Sequence, residues 1–185
     1  MKKCSWCHGN NLMEKYHDEE WGKPLHDDTR LFEALILDGA QAGLSWQTIL
    51  NKRENYRKAF DNFDAEKIAK YNNKKVEELM QNTGIIRNRL KINSAIGNAK
   101  AFLEIQKEFG SFDKYLWSFV GGKPIKNKFK TWKDVPATSK ESDALSKDMK
   151  KRGFKFVGST IVYAAMQGVG MVNDHEVSCF RYKEV

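Results

Sequence analysis

Four side chains that bind soft divalent metals stand near the two ends of this 185-residue chain: Cys4 and His17 at one end, His175 and Cys179 at the other. His175 and Cys179 are four positions apart, a spacing that puts both on one face if that stretch is helical. A Cys2His2 set makes a closed tetrahedral shell, the structural form of a zinc site, which would tie the termini together and hold the loop carrying His17. Cys7 pairs with Cys4 as Cys-x-x-Cys and His8 follows it directly, so either could replace Cys4, and spacing does not choose among them. His17-Asp18-Glu19 also has the His-x-Glu form of zinc deaminases, but those enzymes carry Pro-Cys-x-x-Cys after it, and here the one Cys-x-x-Cys comes before it without a proline.

A second group, Tyr16, Trp21, Asp38 and Trp46, falls in the first quarter of the chain together with Trp6. An enzyme that works on a nucleic-acid base must take it out of the stack and hold it against aromatic faces. Such stacking contributes about 1–3 kcal/mol per base, and aromatic faces favour a cationic base over a neutral one. Asp38 precedes Gly39-Ala40-Gln41-Ala42-Gly43-Leu44. Its carboxylate could accept from an exocyclic amine, the glycines let the loop approach DNA closely, and Leu44 is a candidate wedge for the vacated stack. The same aromatic residues would equally serve as core.

Charge agrees with a polyanionic partner without requiring one: 32 basic against 24 acidic residues give +8. Thr83-Gly84-Ile85-Ile86 supplies a turn that leads into Arg87, Arg89 and Lys91, and free N–H groups at a helix start beside basic side chains make a phosphate site. A second basic block covers residues 147–155, including Lys150 and Arg152, ahead of Gly158-Ser159-Thr160. Each block also reads as a solvated helix face.

The elements that must position these groups are helices. Apolar residues recur at helical spacing in Leu31, Phe32, Leu35 and Ile36 behind a cap at Asp28, with a break over residues 39–43. Ser45 caps the next helix. Further helices are expected over residues 65–71, from Asn73, over 86–109, over 113–120, from Ser139 or Ser142 to Arg152, over 159–167, and in a short piece from near Asn173. Alternating strand patterns are nearly absent, so the expected fold is all-α. Length favours one compact domain over residues 1–185, with two helices joined by a short turn, a helical hairpin, over about 75–104. No run approaches the ~20 apolar residues of a membrane span, and the N-terminus lacks a signal peptide's apolar core. The chain is thus expected in the cytosol, where its three cysteines are thiols or metal ligands rather than disulfides.

From end to end the sequence resembles the bacterial 3-methyladenine DNA glycosylase I family. The resemblance is carried by Tyr16-His17-Asp18-x-x-Trp21-Gly22, Gln41-Ala42-Gly43-Leu44-Ser45-Trp46, Lys52-Arg53-Glu54-Asn55-Tyr56, Gly84-Ile85-Ile86-Arg87, Leu116-Trp117-Ser118-Phe119-Val120, Ser142-Asp143-Ala144-Leu145-Ser146-Lys147, residues 150–158, and Val172-Asn173-Asp174-His175. It implies a compact helix-hairpin-helix glycosylase, active as a monomer on double-stranded DNA with alkylated bases, that releases free 3-methyladenine and leaves an abasic site. It implies one structural zinc on Cys4, His17, His175 and Cys179. It further implies Trp46 as stacking surface, Tyr16 and Asp38 as the polar partners of the base, Trp21 on the pocket wall, and DNA contacts at Gly43, Leu44, Gly84, Ile85, Arg87, Lys150 and Arg152. Two positions depart from the family pattern: Asp38 stands where glutamate is usual, and Met13 where tyrosine is common. The shorter acid leaves room for a second reading, a zinc-stapled sensor that binds damaged bases without cleaving them.

Overall fold

The computed structural model describes all 185 residues. Nine α-helices make up the architecture: α1 (Asn11–Glu19), α2 (Asp28–Gln41), α3 (Trp46–Ala59), α4 (Ala65–Ile68), α5 (Asn73–Gln81), α6 (Arg89–Phe109), α7 (Phe112–Ser118), α8 (Lys140–Lys151) and α9 (Ser159–Gly168). Beyond short 3-10 turns, the remaining regular structure is one parallel pair of two-residue strands, β1 (Ile125–Lys126) beside β2 (Val172–Asn173).

Side-chain caps set most helix starts. The side-chain oxygens of Asn10, Asp27, Ser45, Asn72, Asn88, Ser111 and Ser139 each accept a backbone N–H of the first turn that has no partner inside the helix. Two expected boundaries move for this reason. Asp27, not Asp28, caps α2, and Asp28 instead accepts from Phe112 N, Asp113 N and Gln106 Nε2, locking α2 to α6 and α7. Asn88 delays α6 to Arg89.

Two further expectations fail. The break expected over residues 39–43 starts later, after Gln41: Gly39 stays helical and serves a close approach, a Cβ there lying 3.3 Å from Phe156 Cβ, while the turn itself falls at residues 42–43. The short helix from near Asn173 does not form. Residues 172–173 are strand, 174–179 are irregular, and a 3-10 turn follows at Phe180–Lys183.

Helix α2 runs through the middle, packed on by α3, α6, α7 and α9. Its Leu31, Phe32, Leu35, Ile36 and Leu37 are buried, and Phe32 meets Phe102 of α6 at 4.8 Å between ring centroids. Burying one such side chain stabilises the fold by about 1.5–3 kcal/mol. A separate small cluster of Cys4, Tyr16, Trp21, Leu50 and Cys179 forms where the two chain ends meet. No helix is long and apolar enough to cross a membrane.

Candidate active site

The two ends of the chain come together through their own hydrogen bonds: Phe180 N donates to Lys2 O at 2.9 Å, and Ser5 N and Oγ donate to Glu176 Oε1 at 2.9 and 2.6 Å. There the ligand atoms of Cys4, His17 and Cys179 lie within 4.8 Å of one another, all buried, as a group that could hold a metal ion. His17 Nδ1 faces Asp18 Oδ1 at 2.8 Å, which turns Nε2 inward to 3.4 Å from Cys179 Sγ. Glu176 N donates to Cys4 Sγ at 3.3 Å. Burial pushes the Cys4 thiol up, and holds His17 low and His175 at about 3, so both imidazoles are neutral, the form that binds metal.

His175, expected as the fourth ligand, stands beside this group and not among the three whose ligand atoms converge. It does not share a helical face with Cys179, and its ring is placed by Asn173, whose Oδ1 lies 3.1 Å from His175 Nδ1 and also accepts from His175 N at 3.2 Å. Its Nε2 is buried without any partner, and its ring lies 5.2 Å from that of His17. Two thiols and an oriented imidazole make a donor set suited to a soft divalent metal, and the orphaned His175 Nε2 is the unsatisfied buried atom beside it. The alternatives left open by spacing are outside it: Cys7 donates its thiol to Cys4 O at 3.2 Å, and His8 is exposed. Gly22 has to be glycine here, with φ +78 and a Cβ position 2.5 Å from His175 Cε1.

Directly beside this cluster a cavity of about 340 Å³ opens between α1, α2, α3 and Gly168–Val169, within the ~300–1,000 Å³ of small-molecule sites. Tyr16, Asp38 and Trp46 all line it. Helix α1 brings Tyr16 next to His17, the last turns of α2 bring Asp38, and the first residue of α3 brings Trp46. The Tyr16 and Trp46 rings are 5.4 Å apart and tilted by 52°. Asp38 is 6% exposed and makes no hydrogen bond, and burial pushes its carboxyl up to about 8. The Tyr16 hydroxyl is also raised, chiefly by burial. Trp46 Nε1 is a buried donor with no partner. A cavity walled by ring faces and one unpartnered carboxyl suits a flat, polar-edged and preferably cationic guest.

Trp21 is not on this wall. Its ring packs on Trp6 at 5.0 Å and on His175 at 4.6 Å, behind the metal-ligand group. Met13 packs against the same small cluster. The wall also holds residues to which sequence reading gave no role. Arg53 donates from both Nη atoms to Glu20, at 2.7 and 2.8 Å, and Arg57 pairs with Glu33 at 2.8 Å. No local spacing could have signalled the first pair, since its members are 33 positions apart.

The expected DNA-contact residues separate into exposed and engaged ones. Residues 41–44 form a type II turn, with Leu44 N donating to Gln41 O at 2.6 Å and φ +77 at Gly43, a conformation only glycine adopts without strain. Gly43 is exposed and Leu44 is 40% exposed at the tip. Helices α5 and α6 pack on each other across residues 82–88. In this connection Gly84 N donates to Asn82 Oδ1 at 2.8 Å, and a Cβ at Gly84 would lie 3.0 Å from Asn55. Arg87 and Lys150 are exposed and free of ion pairs. Ile85, by contrast, is buried, and its side chain anchors the turn. Arg152 is engaged internally, with Glu108 at 2.6 and 3.1 Å, with Asp148 at 2.6 Å, and with its guanidinium over the rings of Phe109 and Tyr115.

Set beside solved structures, this helical arrangement is that of a DNA glycosylase. A crystal structure of 3-methyladenine DNA glycosylase I superimposes with a TM-score of 0.94 at 49% identity, over 97% of this chain and 98% of the other. A tyrosine-to-phenylalanine variant in complex with 3-methyladenine gives 0.94 at 36% identity, over 97% of each chain. The methyladenine glycosylase family model matches residues 6–182, and the chain belongs to that family. It is 49% identical to DNA-3-methyladenine glycosylase 1 of Escherichia coli over 98% of this chain and 97% of that one, and 48% identical to the DNA-3-methyladenine glycosylase of Haemophilus influenzae over 96% of each.

Proposed function

We propose that this enzyme performs the first step of base-excision repair: acting as a monomer on alkylated duplex DNA, it hydrolyses the N-glycosidic bond of 3-methyladenine, releases the free base and leaves an abasic site. The observation that carries this reading is the unpartnered Asp38 carboxyl in the same cavity as Tyr16 and Trp46. Relatives whose names specify 3-methyladenine, one of them solved with that base bound, support it.

Methylation at N3 makes adenine a cation, so its bond to deoxyribose is already weak and the leaving base needs no proton. The C1′–N9 bond breaks with its electron pair going to the base, which departs neutral. Water adds to the oxocarbenium-like sugar and gives its proton to solvent. The protein's part is to select and hold the cation. Trp46 stacks on the purine, the Tyr16 hydroxyl meets a polar edge, and Asp38 accepts from the exocyclic amine. A positive guest offsets the desolvation that keeps Asp38 protonated, so guest and carboxylate charge stabilise each other. The turn carrying Gly43 and Leu44 fills the gap left in the duplex. The α5–α6 connection, read as a helix-hairpin-helix element with Gly84 and Arg87, grips the phosphate backbone.

The metal reading is zinc, held by Cys4, His17, Cys179 and His175, the last through its orphaned Nε2. When bound, it supplies a structural staple between the chain ends and no chemistry on the substrate. Tyr16 adjoins His17 on α1, so the staple also fixes where the tyrosine hydroxyl points. Asp38 in place of glutamate is one methylene shorter and bears on which alkylated bases fit, more than on the reaction class.

The test is a count of free bases liberated from methylated duplex DNA. Release of 3-methyladenine supports the proposal. Tight binding of the damaged duplex with no base released would instead establish the sensor reading.

A further inference from the structure

The wedge turn and the phosphate-gripping connection are far apart in sequence, yet one side chain joins them. Lys91, in the first turn of α6, extends its ammonium across to the end of α2 and donates to Ala40 O at 2.8 Å and Ala42 O at 2.7 Å. Neither carbonyl has a helical partner. Ala40 is among the last residues of α2, and Leu44 N, which would have closed its ladder, bonds instead to Gln41 O. The Ala42 carbonyl belongs to the central peptide of the type II turn, which no group of the turn itself satisfies. A cation at a helix C-terminus also meets the negative end of the helix dipole.

Lys91 is itself held from the other side. Asn88, the last residue before α6, accepts from Lys91 N at 3.1 Å, directly after Gly84 and Arg87. The packing of Phe156 against Gly39 adds a second brace on the end of α2, and the buried Asn98 of α6 fixes it by bonding Lys155 N at 2.8 Å and Lys155 O at 3.0 Å. Other basic side chains near the connection do not make this link: Arg89 is paired with Glu77, and Lys52 donates to Thr83 O.

We propose that Lys91 is a positioning residue for base extrusion, in which the ammonium bonded to Ala40 and Ala42 fixes the Gly43–Leu44 turn relative to the backbone-gripping connection, so that gripping the strand sets the wedge at the damaged base. It touches neither phosphate nor base and acts through Leu44. The inference rests on the flipped-base reading above and adds to it the element that couples grip to extrusion.

The experiment is a double-mutant cycle on the zinc-loaded enzyme with Lys91→Met, Leu44→Ala and the pair, reading single-turnover release of 3-methyladenine from methylated duplex and, separately, binding of free 3-methyladenine by tryptophan fluorescence. Lys91→Met is expected to slow release on the order of 10–100-fold, as misplacement by about an ångström does, while free-base affinity stays within about twofold. The pair should be no slower than the slower single variant, and Lys91→Arg, which keeps a donor for both carbonyls, should recover most of the rate. Losses that multiply, an affinity for free base that falls with the rate, or a salt dependence of binding shallower by about one charge would each overturn the proposal, the last by making Lys91 a phosphate contact. If the unmodified enzyme releases no 3-methyladenine, it is the underlying reading that fails.

Discussion

Two buried aspartates in this molecule are treated in opposite ways. Asp174, 1% exposed, accepts from Tyr163 Oη at 2.7 Å, Gln167 Nε2 at 2.8 Å and Asn127 Nδ2 at 2.7 Å. Asp38, 6% exposed, makes no hydrogen bond and is pushed up to about 8. A buried carboxylate with its acceptors filled is a structural joint, here tying α9 to the strand that places His175. One left unfilled is costly to keep, because desolvation works against its charge and nothing in the protein compensates it. That cost is met only if something outside the chain completes the site. The same division runs through the rest of the molecule: the orphaned His175 Nε2 and Trp46 Nε1 belong with Asp38, and the bidentate Arg53–Glu20 and Arg152–Glu108 pairs belong with Asp174.

The largest effect expected from this contrast is at Asp38. Asp38→Asn should lower base release on the order of 10²–10³-fold, the loss seen when one preorganised polar contact is removed, with no fall in melting temperature at pH 9. A variant that melts much earlier would put Asp38 on the structural side of the comparison.

Asp174→Asn should do the reverse. Turning an amide N–H toward existing donors costs about 3 kcal/mol, or roughly 10 °C in melting temperature for a chain of this size, while kcat per folded molecule stays within a few-fold. On the zinc reading a chelator falls on the same side and should bring early melting, whereas a melting curve that the chelator leaves unaltered would mean that no metal staples the chain ends. Cys179→Ala should reproduce it.

Smaller is the pH response. The free Asp38 carboxyl is protonated below about 8, so kcat/KM should climb about tenfold per unit toward that value and level off above it, a slope that Asp38→Asn abolishes. Stability runs the other way. With a folded value raised above the unfolded carboxylate value, the native state holds the extra proton, so stability is fully present below about pH 4 and declines as pH rises to about 8. The smallest effect separates two arginines: Arg87→Met should reduce the salt slope of DNA binding by about one, and Arg152→Met, already committed to Glu108 and Asp148, should leave it unchanged.

How much of this the sequence disclosed follows from which interactions are local. Caps at Ser45 and Ser139 and the apolar face of α2 were legible because they depend on neighbours three or four positions away. Gly39 read as a break because nothing in its own window tells of Phe156, whose Cβ would crowd any side chain there. Residues 174–179 read as helix because the His175–Cys179 spacing fits one, whereas the bonds of Asp174 to α9 and to Asn127 hold that segment irregular. Tyr16, Asp38 and Trp46 could be named from type and motif. That Asp38 would have no partner, that Trp21 would lie behind the wall and that Arg152 would be consumed by Glu108 are facts of long-range packing, beyond any window of the chain.

The most direct test of the account is the titration of the Asp38 carboxyl carbon by NMR, in the free enzyme and in complex with a non-cleavable duplex carrying a cationic nucleotide analogue. The account predicts a midpoint of about 8 when free and a clear fall when the cation is bound. A free carboxyl that titrates near 4, the ordinary aspartate value, or one that does not respond to the bound cation, would contradict it.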